Sequence, residues 1–420
     1  MIDLGIRRET KNRWERRAPL TPTHVEELVR EHGHSVAVEP SEIRVFTDRE
    51  YRDAGAVVQS DLSECRVILG IKEVPPEALV PGRPHLAFFH LIKGQRHNLP
   101  ILRKALETGA SLIDYEPIVD RHGKRLLFFG RQAGHAGMID ALWTLGRRLA
   151  AEGFDTPLAG VRQATAYASL EQALDELAGP VGRAIREGGL PLPVRPVVIG
   201  ITGGGNVSRG AQEVLDRLPV VEVHPEELPD LAGQRERSQR TLYKVVFRRE
   251  NRRRFARHLP HLSVLVNGIY WDPQDSRLVT WDDLEALWEA AAPEPPRLRV
   301  IADLSCDVAG SIEATVRATD PGDPVFVADP ATRRATSGVE GRGPVILAVD
   351  NLPAELPRES SEHFGDALFP LLGGLVGSDF DLDFEHLALP AAILEAVLTH
   401  RGELTPRFRY LETTLGRVPA

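Results

Sequence analysis

Two apolar runs of this chain end in groups that can move protons. Arg66–Ile71 and His85–Phe89 have the length of buried strands, and they are followed by Lys72-Glu73 and by His90. A lysine and a histidine at neighbouring strand ends can be tuned toward neutrality by burial and by each other's charge, as proton transfer near pH 7 requires. Glu73 and Glu116 could complete that tuning by pairing with them. The same residues admit a plainer reading, a lysine that snorkels and a half-buried, hydrogen-bonded histidine, and spacing alone does not separate the two.

A second constellation is a glycine turn. Gly203-x-Gly205-x-x-Ser208 follows a Val/Ile run and opens an amphipathic segment. In such a turn the backbone N–H groups, here those around Asn206, Val207, Ser208 and Arg209, meet a pyrophosphate at a helix N-terminus. Ser208 replaces the third glycine of the pattern, and Gly210-Ala211 lie just beyond. An acidic residue about 20 positions on holds the ribose of NAD in this kind of domain. The next strand is expected at Pro219–Val223, followed by His224-Pro225-Glu226, so Glu222, His224 and Glu226 all compete for that position. A cationic neighbourhood from His224 or Arg209 favours a 2′-phosphate, and with it NADP(H) over NAD(H).

Arginines form the third group. Arg17, after Arg16, precedes Pro19-Leu20-Thr21-Pro22, and Arg131 lies in FFGRQAGHAG after an expected strand. A guanidinium at such a place can hold a substrate carboxylate bidentately, although an ordinary salt bridge is the commoner role. Asp303 and Asp307, in IADLSCDVAG, stand at the end of another strand, where a carboxylate could face a nicotinamide or simply cap a helix. The run Phe247–Phe255 (FRRENRRRF) reads as a solvated helix and is assigned no chemistry.

The elements that must position these groups follow from length and periodicity. The chain has 420 residues, 42% hydrophobic and 26% charged, enough for two domains with separate cores. Its 51 basic and 60 acidic residues give a formal charge of −9, which argues against nucleic-acid or anionic-membrane partners. No apolar run approaches a transmembrane helix and the first residues lack a signal-peptide core, so a cytoplasmic protein is expected. Cys65 and Cys306 stand far apart, without ligand spacing, so neither a disulfide nor a bound metal is expected.

Strands are expected at Asp3–Arg7, Ser35–Val38, Ser111–Tyr115 and Arg125–Phe129, with a helix opening at Thr21-Pro22. Ala133–Ala151 has helical periodicity. After the Gly/Pro-rich Gly179–Pro196 comes the glycine turn, then strands at Tyr243–Phe247, Ser263–Val266, Arg299–Ala302, Pro324–Ala328 and Val345–Val349, then helix-like Glu359–Val376 and Pro390–His400. The pattern is α/β: two doubly wound Rossmann-like domains with a cleft between them. Residues 133–324 form the dinucleotide-binding domain, and 1–132 with 325–420 a discontinuous substrate and catalytic domain. No GxSxG, HExxH or Walker A pattern is present, which lowers hydrolase and phosphoryl-transfer readings.

Several blocks resemble a known family. IRRETKNRWERRAPLTPTHVEELV, GITGGGNVSRGAQEVL, VNGIYWDPQDSRLVT, IADLSCDVAGSIEAT and VDNLPAELPRESSEHFGDALFPLL are similar to the lysine–ketoglutarate reductase half of α-aminoadipic semialdehyde synthase. They are more distantly similar to lysine-forming saccharopine dehydrogenase and alanine dehydrogenase. The resemblance spans about Ile2 to Tyr410. It implies a reversible, NAD(P)H-dependent condensation of L-lysine with 2-oxoglutarate to saccharopine, with no metal. It also implies that Lys72 and His90 are the acid–base pair, tuned by Glu73 and Glu116. On the same grounds Arg17 and Arg131 meet substrate carboxylates, Asp307 lies near nicotinamide and substrate, and the two domains close over the cleft. A separate saccharopine-oxidising dehydrogenase would be a natural partner. The competing readings are an alanine dehydrogenase-like enzyme acting on a small 2-oxo acid with ammonia, and a nucleotide-binding relative without catalysis.

Overall fold

The computed structural model describes residues 1–92, 96–231, 233–236, 238–248 and 255–416. Their strands, in chain order, are β1 (Ile2–Ile6), β2 (Val36–Val38), β3 (Val57–Val58), β4 (Cys65–Leu69), β5 (Pro84–Ala87), β6 (Ser111–Asp114), β7 (Val198–Thr202) and β8 (Val220–Glu222). They continue with β9 (Leu242–Phe247), β10 (Val264–Asn267), β11 (Val300–Asp303), β12 (Val325–Asp329), β13 (Arg334–Ser337), β14 (Val345–Leu347), β15 (Val397–His400) and β16 (Glu403–Leu404). The principal helices are α1 (Pro22–Arg30), α2 (Leu99–Thr108), α3 (Gly130–Ala151), α4 (Asn206–Leu215), α5 (Trp281–Ala291) and α6 (Pro357–Gly377). Two compact units result: Met1–Phe129 with Pro357–Ala420, and Gly130–Leu356. Among the described residues no helix is long and apolar enough to cross a membrane.

The first unit carries a sheet in the order β16-β15-β6-β5-β4-β1-β2-β3, parallel from β6 to β3. Its strands are short Val/Ile/Leu runs because both faces are covered, and one face packs Leu4, Ile6, Val67, Leu69 and Leu86 against Val25, Leu28, Phe364 and Leu368 of α1 and α6. Thr21 caps α1 as expected, accepting the His24 amide, with Pro22 at the first helical position. Strand order reverses between β1 and β4. That switch point is where an open parallel sheet presents a ligand crevice beyond its carboxyl ends.

The second unit has the order β13-β12-β14-β11-β10-β7-β9-β8, parallel from β14 to β8. All five residues of β7 are buried, and the order reverses between β7 and β10. Helix α3 packs on α4 so closely that a Cβ at Gly134 would stand 2.0 Å from the Val207 carbonyl oxygen, and one at Gly210 would stand 2.1 Å from that of Arg131. Gly134 of AGHAG and Gly210 of SRGAQ therefore serve helix–helix approach.

Three sequence expectations change. Arg125–Phe129 is not a strand: Arg125 makes one isolated bridge to Val119, and Phe129 turns inward to stack on Phe364. Pro390–His400 is a single helical turn, Ala391–Leu394, followed by β15, which pairs antiparallel with β6. Strand β14 pairs with β11, and β12 and β13 extend the second sheet beyond it, so the chain returns to the first unit at 356/357 rather than at 324/325. In the run Phe247–Phe255, Phe247 ends β9 and Phe255 opens a 3-10 segment to His261; residues 249–254, on which the solvated-helix expectation falls, lie outside the described residues.

Candidate active site

In the first unit Lys72-Glu73, His90 and Glu116 follow β4, β5 and β6, three adjacent parallel strands, so their backbones emerge side by side at the switch point. The segment after β1 closes the other side. Glu9, fully buried, accepts the amides of Ile71 at 2.7 Å and Lys72 at 3.0 Å, which pins the β4 exit. His90 has φ 53°, a left-handed backbone that a non-glycine residue adopts at a cost, and its ring lies over Phe88 at 6.0 Å. Its Nε2 is 3.8 Å from Glu73 Oε1 and its Nδ1 is 4.0 Å from Glu116 Oε2.

Burial, then the Arg17 and Lys11 charges, lower the pKa of Lys72. Burial and then Lys72 lower that of His90, against the pull of Glu73 and Glu116. For Glu73 burial alone would raise the pKa, but Lys11, 3.5 Å away, together with a backbone hydrogen bond, His90 and Lys72 holds it below the usual value. Each shift thus favours the uncharged form of the amine and of the imidazole and the charged form of the Glu73 carboxylate. Asp114, at the end of β6, is a buried carboxyl that accepts the Glu116 amide at 2.9 Å and is raised to about 7 by burial.

Arg17 is buried, stacks 4.2 Å over the Phe129 ring and forks onto Glu15 at 2.7 and 2.6 Å. Arg131 belongs to the second unit. It forks onto Glu213 of α4, both contacts at 2.8 Å, while remaining about half exposed. The structure therefore does not gather Arg17 and Arg131 on one unit.

The glycine turn sits at the switch point of the second sheet. Gly203 has φ 93°, and a Cβ there would meet the Gly268 carbonyl at 3.1 Å, so glycine is required. Gly204 and Gly205 face open space, and Gly205 is the N-cap of α4, with Asn206, Val207, Ser208 and Arg209 forming its first turn. This is a fit for a dinucleotide pyrophosphate: free backbone amides, a helix N-terminus and no Cβ in the way. Ser208 is buried, within hydrogen-bond reach of Gln212, and Arg209 is exposed.

The adenosine side departs from the expected order, because β9 lies between β7 and β8. Glu222 is drawn to Lys244 at 3.0 Å, and His224 caps a short 3-10 turn one strand too far out. The residue that emerges beside the turn is Arg248, exposed, directly after Phe247, whose carbonyl accepts the Gly203 amide at 2.9 Å. At the far side of the switch point Asp303 is fully buried, accepting from Asn267, Ser305 and Thr315, whereas Asp307 is exposed past β11.

The family models "Alanine dehydrogenase/PNT, N-terminal domain" and "Alanine dehydrogenase/PNT, C-terminal domain" match residues 5–136 and 178–407. The chain belongs to the alanine dehydrogenase/PNT family. Within that family of oxidoreductases it is 30% identical to the saccharopine dehydrogenase [NAD(+), L-lysine-forming] of Neurospora crassa, over 88% of this chain and 90% of that protein. It is also 37% identical to the alpha-aminoadipic semialdehyde synthase of Arabidopsis thaliana and 34% to the mitochondrial one of rat, in each case over 97% of this chain. The chain spans 41% and 47% of the length of those two proteins. An L-alanine dehydrogenase structure superposes with a TM-score of 0.63 at 20% identity, over 98% of this chain and 99% of that one, which shows the shared fold of two Rossmann-like units.

For this family member, reading the sequence missed Glu9, Lys11, Glu15, Asp114 and Arg248. The first three lie in or just beyond IRRETKNRWERR after β1, and only the β1–β4 pairing brings them to Lys72. Asp114 had the strand-end signal that singled out Glu116, two residues on.

Proposed function

We propose that this protein catalyses the reversible, nicotinamide-dependent condensation of L-lysine with 2-oxoglutarate to saccharopine. The observation that carries the reading is the exit of Lys72 and His90 from adjacent strands with Glu73 and Glu116 beside the imidazole. The substrate's ε-ammonium gives a proton to Lys72 in its amine form, the form that burial favours, and the freed nitrogen bonds to C2 of 2-oxoglutarate. Lys72 returns its proton to the carbonyl oxygen while His90 takes one from the new C–N nitrogen, leaving a neutral carbinolamine. His90 then protonates the hydroxyl, water departs, and the cationic C=N that remains is stabilised by the carboxylates of Glu73 and Glu116. The coenzyme, when bound, supplies the hydride that reduces this carbon.

Arg17, held by Glu15, acts on Lys72 through its charge, and Arg131 is the guanidinium that can exchange Glu213 for a substrate carboxylate. Asp307 is assigned to the nicotinamide side. NADP(H) is favoured over NAD(H), now because Arg248 rather than an acid emerges beside the glycine turn. The two free thiols, Cys65 and Cys306, suit a reducing, cytoplasmic setting, and a separate dehydrogenase that oxidises saccharopine would complete the reaction sequence. The test is coenzyme oxidation by purified protein with L-lysine and 2-oxoglutarate, run with NADPH and with NADH, against pyruvate with ammonia. Lysine-dependent oxidation supports the proposal; a response to pyruvate and ammonia alone transfers the protein to the alanine dehydrogenase activity.

A further inference from the structure

The second unit has a basic groove at the end of its sheet remote from the glycine turn. The groove has a volume of about 850 Å³, and its wall carries Arg148, Arg235, Arg297, Arg299 and Arg342 against two acids, Glu152 and Glu294. Arg299 immediately precedes β11 and Arg342 lies just before β14, so the groove opens at the amino ends of the strands. The turn lies past their carboxyl ends, about 15 Å away along β7 at roughly 3.3 Å per residue. A net excess of arginine stands out in a chain of formal charge −9.

Arg342 is paired with Asp329 at 3.7 Å, and the other arginines are held in place by groups that leave positive charge over. Glu152 is shared, accepting Arg148 Nε at 2.6 Å on one oxygen and Arg299 Nε at 2.7 Å on the other. Arg148 spends its two terminal nitrogens on the carbonyls of Val339 and Gly341. Arg297 donates to the Arg195 carbonyl at 2.8 Å, and among the described residues no carboxylate lies within ion-pair distance of Arg297 or Arg235. Burial first, and then the nearby Arg235 and Arg299 charges, lower the pKa of Arg297. Pro293 and Pro295 stiffen one wall and the Trp288 indole floors it.

We propose that this groove binds a small multivalent anion, a phosphate ester or a polycarboxylate, as a second ligand independent of the coenzyme turn. Planar guanidiniums in forked arrangements match both oxyanions. The probes are pyrophosphate and citrate, added to the full chain and followed by calorimetry and thermal denaturation, with sodium chloride at matched ionic strength as control. Saturable binding that raises the melting temperature is expected. Arg235→Gln, an exposed change, and Arg297→Gln should each weaken it on the order of tenfold or more, while Gly205→Leu at the turn leaves it intact. Tighter binding of pyrophosphate assigns the groove to phosphate esters, and tighter binding of citrate assigns it to polycarboxylates. The proposal is overturned if chloride reproduces the stabilisation, if Arg235→Gln binds as well as the parent, or if Gly205→Leu is the variant that loses binding.

Discussion

Asp114 offers a measurement whose size follows from its position. Its carboxyl is buried at the end of β6 beneath the left-handed His90 turn, where the amides of Glu116, Phe89 and His90 all draw its pKa down, yet desolvation wins and raises it from 3.8 to about 7. Because the folded value lies above the unfolded one, the folded state binds the extra proton. The stabilising contribution is therefore complete below the unfolded pKa and is lost as pH rises to the folded pKa, staying flat above it. Between about pH 5.5 and pH 8.5 the loss spans some 1.5 pH units of titration, or about 2 kcal/mol. Asp114→Asn cannot titrate, so urea unfolding of the variant should lack this slope, and the difference between variant and parent stabilities should shift by about 2 kcal/mol over that range. The difference isolates Asp114, since every other titrating group is common to both proteins. An identical pH dependence in the two would refute the reasoning, because it would mean that Asp114 is ionised in the fold throughout.

Replacing Lys72 by Met or His90 by Gln should lower turnover by about 10²–10⁴ while coenzyme affinity, read by fluorescence titration, stays within about 2-fold. Lys11→Met removes a cation that depresses Lys72, His90 and Glu73 alike, so the pH–rate profile should move upward by up to about one unit; a profile that stays put removes Lys11 from the electrostatics of the site. Arg248→Asp should cost NADPH on the order of tenfold or more in KM and spare NADH. Gly134→Ala places a Cβ 2.0 Å from a backbone carbonyl on α4, neither of which can yield easily, and should cost about 3 kcal/mol in thermal or urea denaturation.

The site was legible wherever function follows from local pattern. Buried parallel strands are continuous apolar runs, so the polar residue that ends each one stands out, and Lys72, His90 and Glu116 could be placed at strand ends before any contact was known. The turn at Gly203–Ser208 was legible for the same reason. Sheet order leaves no such trace in periodicity. The insertion of β9 between β7 and β8 is set by packing of residues far apart in the chain, and it places Arg248, rather than His224, beside the glycine turn. The return crossing at 356/357 escaped because β12 to β14 look, residue by residue, like strands of either sheet. Phe129 and Ile393 show the converse: apolar spacing that suits a strand or helix is consumed in packing around Phe364 and α6.

The depressed pKa of Lys72 has an origin that no single contact conveys. Four glutamates surround the exits of β1, β4, β5 and β6, which should favour an ammonium. Each of them, however, is already matched to another cation: Glu9 lies 3.8 Å from Arg7, Glu15 is forked by Arg17, Glu73 lies 3.5 Å from Lys11, and Glu116 is bonded to Arg125. Among the described residues no carboxylate comes within ion-pair distance of Lys72, so burial, with the charges of Arg17 and Lys11, outweighs the opposing pull of Glu15 and Glu73. Lys11 thus helps to hold Glu73 below the usual carboxylate value, while among the described residues Lys72 has no ion-pair partner to keep its proton. Removing Lys11 raises three pKa values at once, those of Lys72, His90 and Glu73, and removing a carboxylate frees a cation to repel Lys72 further. A site wired in this way responds to single charge changes mainly through pH dependence, which distinguishes it from one in which Lys72 is held by a salt bridge of its own.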